Sequence, residues 1–145
     1  MTTRRKFLKV VGAGASVLSV GAMPIACAGA PPAPEDVDGG NVADLDVGTV
    51  AQVPDSTVIV GRDAAGVYAL TSICTHFGCD INDSGSVSGG TINCACHGSK
   101  FELDGSVSNG PANSPLQHWA VDVDDAGAIT VHVGVEAAAD ERVAV

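Results

Sequence analysis

The sequence is poor in aromatic residues and in positive charge. Of its 145 residues only 3% are Phe, Trp or Tyr, whereas 46% are hydrophobic. A folded core must therefore be built from small aliphatic side chains rather than from rings. Only seven residues are Lys or Arg, and four of these lie within the first nine positions. The length suits a single globular domain.

Acidic residues dominate the remainder of the chain. All 17 Asp and Glu residues lie from Glu35 onward, and the chain beyond residue 30 has three basic residues against them, a net charge of −14. This charge argues against nucleic acid as a partner and against adsorption to anionic lipid. It is compatible with a basic protein partner or a salty environment, and equally with general solubility.

Long apolar runs are absent except near the N-terminus. There "TTRRKFLK" is followed by "VVGAGASVLSVGAMPIACAGA", 21 residues without a charge, an order typical of an export signal. The paired arginines before Phe7 resemble the twin-arginine type, which exports folded, cofactor-loaded proteins. We interpret residues 1–28 as such a signal, which predicts a location in the periplasm or on the outer face of a bacterial cytoplasmic membrane. A retained membrane anchor and a lipoprotein signal with a modified Cys27 stay open as alternatives.

The rest of the chain divides into a linker and a β-domain. Residues 29–44 include "APPAPEDVDGGNVAD" and predict a flexible linker. From Leu45 onward, short runs of Val, Ile and Thr are separated by Gly and Asp, and several alternate with period two. This pattern predicts an all-β domain of short antiparallel strands over residues 45–145, with no helix of useful length. Strands are expected at residues 56–63, 66–73, 91–95, 99–103, 116–125 and 128–134.

Four of the five cysteines and two of the four histidines lie in two short islands. They are Cys74, His76, Cys79, Cys94, Cys96 and His97. Both islands fall at the ends of predicted strands, where loops present a site on a rigid scaffold. Structural zinc, a pure disulfide framework and an iron-sulfur centre with mixed ligands are three possible uses. The Cys-x-His spacing is unusual for zinc, and a disulfide framework leaves both histidines without a role.

The islands resemble the two ligand boxes of the Rieske iron-sulfur family. "CTHFGC" at residues 74–79 is similar to the first box, and "CACHGS" at residues 94–99 is similar to the second. The resemblance covers roughly residues 45–135. It implies a Rieske-like all-β fold with a small cluster-binding lobe formed by two loops.

The same resemblance implies one 2Fe-2S cluster with two thiolates on one iron and two imidazoles on the other, and a disulfide between the loops. The implied metal ligands are Cys74, His76, Cys94 and His97, and the implied disulfide joins Cys79 to Cys96. Further family positions surround the cluster: two glycines that let backbone amides approach it, a serine that donates to a bridging sulfur, the proline of a covering loop over residues 110–116, and a phenylalanine where high-potential members often have tyrosine. These are Gly78, Gly98, Ser99, Pro111 and Phe101.

Imidazole ligands make the cluster less negative, so this class has potentials of about −150 to +300 mV against about −400 mV for all-cysteine plant-type clusters. The disulfide and the export signal together point to the respiratory branch of the family. That branch contains the iron-sulfur subunit of quinol-oxidising cytochrome bc-type complexes and the similar small subunit of arsenite oxidases. In bc-type members an exposed ligand histidine accepts an electron and a coupled proton, and a c-type cytochrome receives the electron. This role carries over to His76 and His97.

The resemblance therefore predicts an electron-transfer subunit rather than a stand-alone enzyme. Its expected partner is a quinol-oxidising membrane complex or a c-type cytochrome. The alternatives are the large subunit of a molybdenum enzyme as partner and, from another class, a non-redox metal-binding module. Among the remaining candidates, His118 and His132 are expected to be surface or half-buried strand residues, and Trp119 a core residue.

Overall fold

The computed structural model describes residues 34–145. This part of the chain contains ten β-strands in two antiparallel sheets, one 3-10 turn at Val42–Asp44 and one short helix, α1, at Ile81–Ser84. The all-β prediction is confirmed. Between residues 34 and 145 no helix is long and apolar enough to cross a membrane. The predicted signal, including Cys27, lies outside the described residues.

The larger sheet has six strands and the smaller sheet has four. The order in the larger sheet is β1 (Glu35–Asn41), β10 (Ala128–Glu136), β9 (His118–Val123), β4 (Gly66–Thr71), β3 (Val58–Asp63) and β2 (Thr49–Gln52). The order in the smaller sheet is β5 (Gly85–Ser88), β6 (Thr91–Cys94), β7 (Lys100–Glu102) and β8 (Val107–Asn109). The two cysteine- and histidine-bearing loops lie beside the smaller sheet, one before α1 and one between β6 and β7.

Strand β4 and the first four residues of β3 are buried on both faces, which explains why these segments are mostly apolar. Val60 and Ala69 belong to a core cluster on one face of the larger sheet. Ile59 and Leu70 point to the other face, where they join Phe101 of the smaller sheet in a second cluster. Burying one such aliphatic side chain contributes roughly 1.5–3 kcal/mol. The second cluster therefore holds the smaller sheet, with its loops, against a rigid base.

The predicted linker is wrong for residues 35–44. Strand β1 pairs with β10 along its length, beginning with Glu35 opposite Val133, and Val37 packs against the core. Gly39 lies so close to Ile129 that an added Cβ would be 2.8 Å from its Cγ2 atom. The acids that suggested a linker are exposed positions of an edge strand. Gly39 is a position where that strand packs closely against its neighbour.

Two side chains of the larger sheet attach the β7–β8 turn. The Tyr68 hydroxyl donates to the carbonyl of Leu103 at 2.9 Å, and His118 Nε2 lies 3.0 Å from the carbonyl of Asp104. Burial raises the pKa of Tyr68 to about 12 and lowers the pKa of His118. His118 is only 4% exposed, so its prediction as a surface or half-buried residue is wrong. The face of β9 that carries His118 meets the smaller sheet.

His132 is half-buried on β10, as predicted, between aspartates of both neighbouring strands. Its Nδ1 lies 2.6 Å from Asp36 Oδ1 on β1, and its Nε2 lies 3.0 Å from Asp122 Oδ2 on β9. The bond to Asp36, followed by the bond to Asp122, raises the pKa of His132 above its ordinary value of 6.5. Both bonds need the protonated ring, because a neutral imidazole has a single N–H.

This contact predicts a pH-dependent contribution to stability. Because the folded-state pKa of His132 is raised, the contribution is complete below about pH 6 and is lost as the pH rises through that pKa. His132→Gln is expected to lower the midpoint of urea unfolding more at about pH 5.5 than at about pH 8.5. The matched control is Asp122→Asn, which should give a smaller loss with the same pH trend. An equal loss for His132→Gln at both pH values would contradict the role of the charged ring.

Candidate metal centre

The two cysteine- and histidine-bearing loops form the same turn. In the first loop Gly78 N–H donates to the Cys74 carbonyl at 2.9 Å, and in the second Gly98 N–H donates to the Cys94 carbonyl at 3.1 Å. Both glycines have positive φ angles, of 74° and 81°, which other residues adopt at a cost. The Cys74 and Cys94 amides then donate to the carbonyls of the residues five positions later, at 2.8 and 2.9 Å. Equivalent turns place the first cysteine of each loop in equivalent positions.

The four residues expected to bind metal lie on these turns as two pairs, one of thiols and one of imidazoles. Cys74 and Cys94 are free and buried, and their thiols interact with each other. The rings of His76 and His97 lie 4.9 Å apart between centroids. His76 is half-buried and His97 is exposed. Two thiols inside and two imidazoles toward solvent match a two-iron centre with one pair of ligands on each iron.

A disulfide joins the two loops. It links Cys79 to Cys96, with 6.6 Å between their Cα atoms, as the resemblance implied. The Sγ atom of Cys94 also lies within 4.8 Å of both bonded sulfurs. Since sulfurs in a disulfide are not thiolates, metal coordination by the cysteines of residues 34–145 is left to Cys74 and Cys94. A framework that pairs all four cysteines is excluded.

The chemistry of the donor set fits an iron-sulfur cluster. Nδ1 of His76 is buried without a hydrogen-bond partner, which is costly for a ring nitrogen unless it binds something. Burial raises the pKa of the Cys94 thiol, and the neighbouring Cys74 thiol raises it further. A cation such as iron is what would hold this sulfur as a thiolate. The residues present therefore suit the group that the resemblance implies.

The loop at residues 110–116 contacts both turns. Ala112 N–H donates to Ser99 Oγ at 3.0 Å, so the Ser99 hydroxyl hydrogen is available to the centre. Thr75 Oγ1 donates to the Ser114 carbonyl at 2.6 Å. Pro111 itself is exposed. Sequence reasoning did not find Thr75 or Ala112 as contributors, because a backbone N–H and a bond to a carbonyl leave no pattern in the residue types.

Three further family positions, Gly78, Gly98 and Phe101, have surroundings that the sequence boxes alone do not indicate. An added Cβ at Gly78 or Gly98 would meet nothing within 4 Å, so positive φ, and not crowding within the protein, requires these glycines. Phe101 is fully buried in the same cluster as Cys74 and Cys94. Its phenyl ring offers no hydrogen-bond donor to a ligand sulfur.

The exposed tip of the site carries an aromatic ring. Phe77 is 77% exposed, the largest value among the exposed large hydrophobic residues of the described chain. Its ring centroid lies 4.2 Å from that of His76 and 5.6 Å from that of His97. Residues 74–79, 94–99 and 110–116, which form the tip, contain no Asp, Glu, Lys or Arg. An uncharged tip on a strongly acidic body is the form expected of a docking surface.

Comparison with known proteins identifies relatives of most of the chain. Residues 34–120 match the family described as the Rieske 2Fe-2S domain. The cytochrome b6-f complex iron-sulfur subunit of Chlorobaculum tepidum is 33% identical over 139 residues, covering 90% of this chain and 75% of the relative. The subunit of the same name from Chlorobaculum thiosulfatiphilum is 33% identical over 130 residues, covering 80% and 68%. The solved structure of the plasma membrane Rieske protein of Synechocystis PCC 6803 is 31% identical and superposes with a TM-score of 0.50, over 66% of this chain and 97% of that one.

Proposed function

The chain belongs to the Rieske 2Fe-2S family, and we propose that it is the exported electron-transfer subunit of a quinol-oxidising, cytochrome bc-type complex. The observation that carries the proposal is the b6-f subunit relative from Chlorobaculum tepidum, which aligns with 90% of this chain. The chain carries one 2Fe-2S cluster, as its family does. Both relatives reported above are b6-f subunits, so this partner is preferred to a molybdenum enzyme.

Within this proposal Cys74 and Cys94 hold one iron, and His76 and His97 hold the other. When bound, the cluster supplies a one-electron carrier at a potential of about −150 to +300 mV. His97 is the more exposed of the two imidazoles, so it is the ring that can meet a quinol hydroxyl and take its proton. The buried thiols lie on the inner side, where water is excluded and the cluster is protected.

The tip provides the docking surface for the donor. Phe77 and the two imidazoles are presented without a neighbouring charge in the three loops, whereas the body has a net charge of −14. Such a surface fits an apolar, uncharged pocket, since a charge buried there without a partner would be costly. The acidic body then faces solvent or a basic partner such as a c-type cytochrome.

Deletion of the gene that encodes this chain tests the proposed function. Membranes from cells that lack this protein are expected to lose quinol-dependent reduction of a c-type cytochrome, and the full chain supplied from a plasmid should restore it. The purified protein should show the electron paramagnetic resonance signal of a mixed-ligand 2Fe-2S centre in the reduced state. Unchanged quinol oxidation in the deleted strain would overturn the proposed partner, even if the purified protein carries the cluster.

Phe77→Asp is expected to slow the quinol-dependent reaction about tenfold, the effect of losing roughly 1.4 kcal/mol at a central interface residue. The physical reason is the burial of an unpaired carboxylate when the tip docks. Spectrum and cluster content should stay unchanged, since the side chain points to solvent. Val47→Asp is the matched control, because Val47 is 58% exposed and lies before β2, outside the three loops. Equal rates for the two variants would show that the tip is not the docking surface.

Phe101→Tyr is expected to raise the reduction potential by an amount on the order of tens of millivolts. A hydroxyl donated to a ligand sulfur stabilises the reduced, more negative cluster more than the oxidised one. Ser99→Ala removes a donor and should shift the potential the other way. Protein-film voltammetry of the three proteins at one pH measures both shifts. A Phe101→Tyr potential equal to or below that of the parent would show that residue 101 does not face a ligand sulfur.

A further inference from the structure

Three sulfur atoms lie together at the junction of the two loops. The Sγ atoms of Cys79, Cys94 and Cys96 are all within 4.8 Å of one another. Two of them form the disulfide, and the third belongs to the free, buried Cys94. Thiol–disulfide exchange begins when a thiolate attacks a disulfide sulfur. The third sulfur is therefore close enough to its potential partners for exchange within one folded molecule.

We propose that the cluster keeps Cys94 from exchanging with the disulfide, and that a folded chain without its cluster rearranges to a Cys79–Cys94 disulfide. The Cys94 sulfur forms a bond to Cys79 Sγ, the Cys79–Cys96 bond breaks, and its electron pair leaves on Cys96 Sγ. Solvent accepts the proton from Cys94 and supplies one to Cys96. One disulfide and one thiol are present before and after, so the step needs neither an oxidant nor a reductant.

The surroundings favour Cys96 as the leaving group. Cys96 is exposed and Cys79 is half-buried, so water stabilises a thiolate better on Cys96. Ser84 Oγ donates to the Asp80 carbonyl at 2.7 Å and lies 3.5 Å from Cys96 Sγ, so its hydroxyl would have to leave that carbonyl to donate to the thiolate. A more stable leaving thiolate departs faster. Attack on Cys79 is thus the favoured direction.

The inference rests on the proposed ligand role of Cys94. A sulfur bound to iron is not free to attack, whereas a cluster-free chain leaves it available. After the exchange Cys94 can no longer bind iron, so the chain cannot take up a cluster until a thiol reductant restores the native pairing. The cluster must therefore be in place before the disulfide forms, an order that agrees with export of an already folded and loaded chain.

Disulfide mapping tests the exchange. The samples are the loaded full chain, the same chain after anaerobic removal of iron by a chelator, and the ligand variants Cys74→Ser and Cys94→Ser, all carrying Cys27→Ser. Free thiols are alkylated in mildly acidic denaturant, which stops exchange, and the chain is cleaved before its aspartates. Cleavage before Asp80 and Asp83 separates Cys79 from the fragment that contains both Cys94 and Cys96. The two pairings give fragments of equal mass, so tandem mass spectrometry that breaks the chain between Cys94 and Cys96 shows which of the two is alkylated.

The loaded chain is expected to show Cys79 bonded to Cys96. The stripped chain and Cys74→Ser should show Cys79 bonded to Cys94, with most of Cys96 alkylated after minutes to hours, the usual time of uncatalysed rearrangement. Cys94→Ser, which lacks the attacking thiol, should keep the native bond. Retention of the native bond in the stripped chain would overturn the inference.

Bonds to Cys74 would also overturn it, because Cys74 is not one of the three sulfurs between which the exchange is proposed. Iron content and absorbance of Cys94→Ser report separately on the ligand assignment. If Cys94→Ser has lost its iron but the stripped chain does not rearrange, the exchange is wrong and the ligand assignment stands. If Cys94→Ser still carries a full cluster, the ligand assignment fails.

Discussion

Cys94→Ser is expected to abolish the visible absorbance and the electron paramagnetic resonance signal of the 2Fe-2S centre. Cys94 is buried beside Cys74, and a serine hydroxyl in that position does not ionise to replace a thiolate. One iron would then have a single sulfur from the protein, which is too few to retain the cluster. Iron content and both spectra of the purified variant measure the loss, which should be complete.

His97→Cys tests the same assignment of cluster ligands from the histidine side. A thiolate in place of the exposed imidazole restores negative charge to the centre, so the mixed-ligand spectrum should disappear even if iron is retained. His132→Gln and Cys27→Ser are the matched controls, one a histidine on the far strand β10 and the other a cysteine outside the described residues. Both should keep the full spectrum. A normal spectrum from Cys94→Ser, or a changed one from Cys27→Ser, would contradict the assignment of ligands.

The sequence predicts which residues form the site better than it predicts the tertiary contacts that hold them in place. Sulfur and imidazole at fixed spacing leave a strong pattern, so the residues near the centre and the pair Cys79 and Cys96 could be named in advance. The disulfide is present, and the ring centroids of His76 and His97 lie 4.9 Å apart. What these residues bind follows from donor chemistry, which depends on residue type and therefore can be deduced from sequence.

The supporting contacts follow from tertiary structure and were not predicted. Strand β1 was missed because its acids and glycines have low strand propensity, and its pairing with β10 overrides that preference. Strands β5 and β8 were missed because "GSVS" and "VSN" have too few apolar residues for an alternation to be visible. His118 was misjudged because the smaller sheet, which buries it, is distant in sequence.

The two loops differ in how they are held, and this determines what the disulfide does. The first loop is closed at its own ends by the Ile73–Asp80 bridge and by Ser72 Oγ, which donates to Asp80 Oδ1 at 2.5 Å. The Ser72 amide then joins it to the larger sheet by donating to the Thr57 carbonyl at 2.9 Å. The second loop continues directly into β6 and β7 of the smaller sheet. The direct link between the loops is the covalent Cys79–Cys96 bond, supplemented by the loop at residues 110–116. A ligand set divided between two loops depends on that link.

Cys79→Ala/Cys96→Ala is accordingly expected to lower the free energy of unfolding by about 3 kcal/mol, the chain-entropy value for a closed loop of this length. The two residues are 17 positions apart. Both cysteines are replaced because a single substitution would leave a free thiol beside the centre. The purified variant should contain a cluster at first and lose it faster than the parent, since the loops can separate while each turn stays intact.

The decay of the cluster absorbance under a chelator and urea unfolding measure the two effects of this variant. Thr75→Val is the matched control for the noncovalent tie, because it removes only the bond to the Ser114 carbonyl. One such hydrogen bond contributes about 1 kcal/mol, so Thr75→Val should have the smaller effect on both quantities. A disulfide-free protein with the cluster lifetime of the parent would show that the two turns and the smaller sheet alone fix the ligands. In that case the disulfide would serve the stability of the fold and not the retention of the cluster.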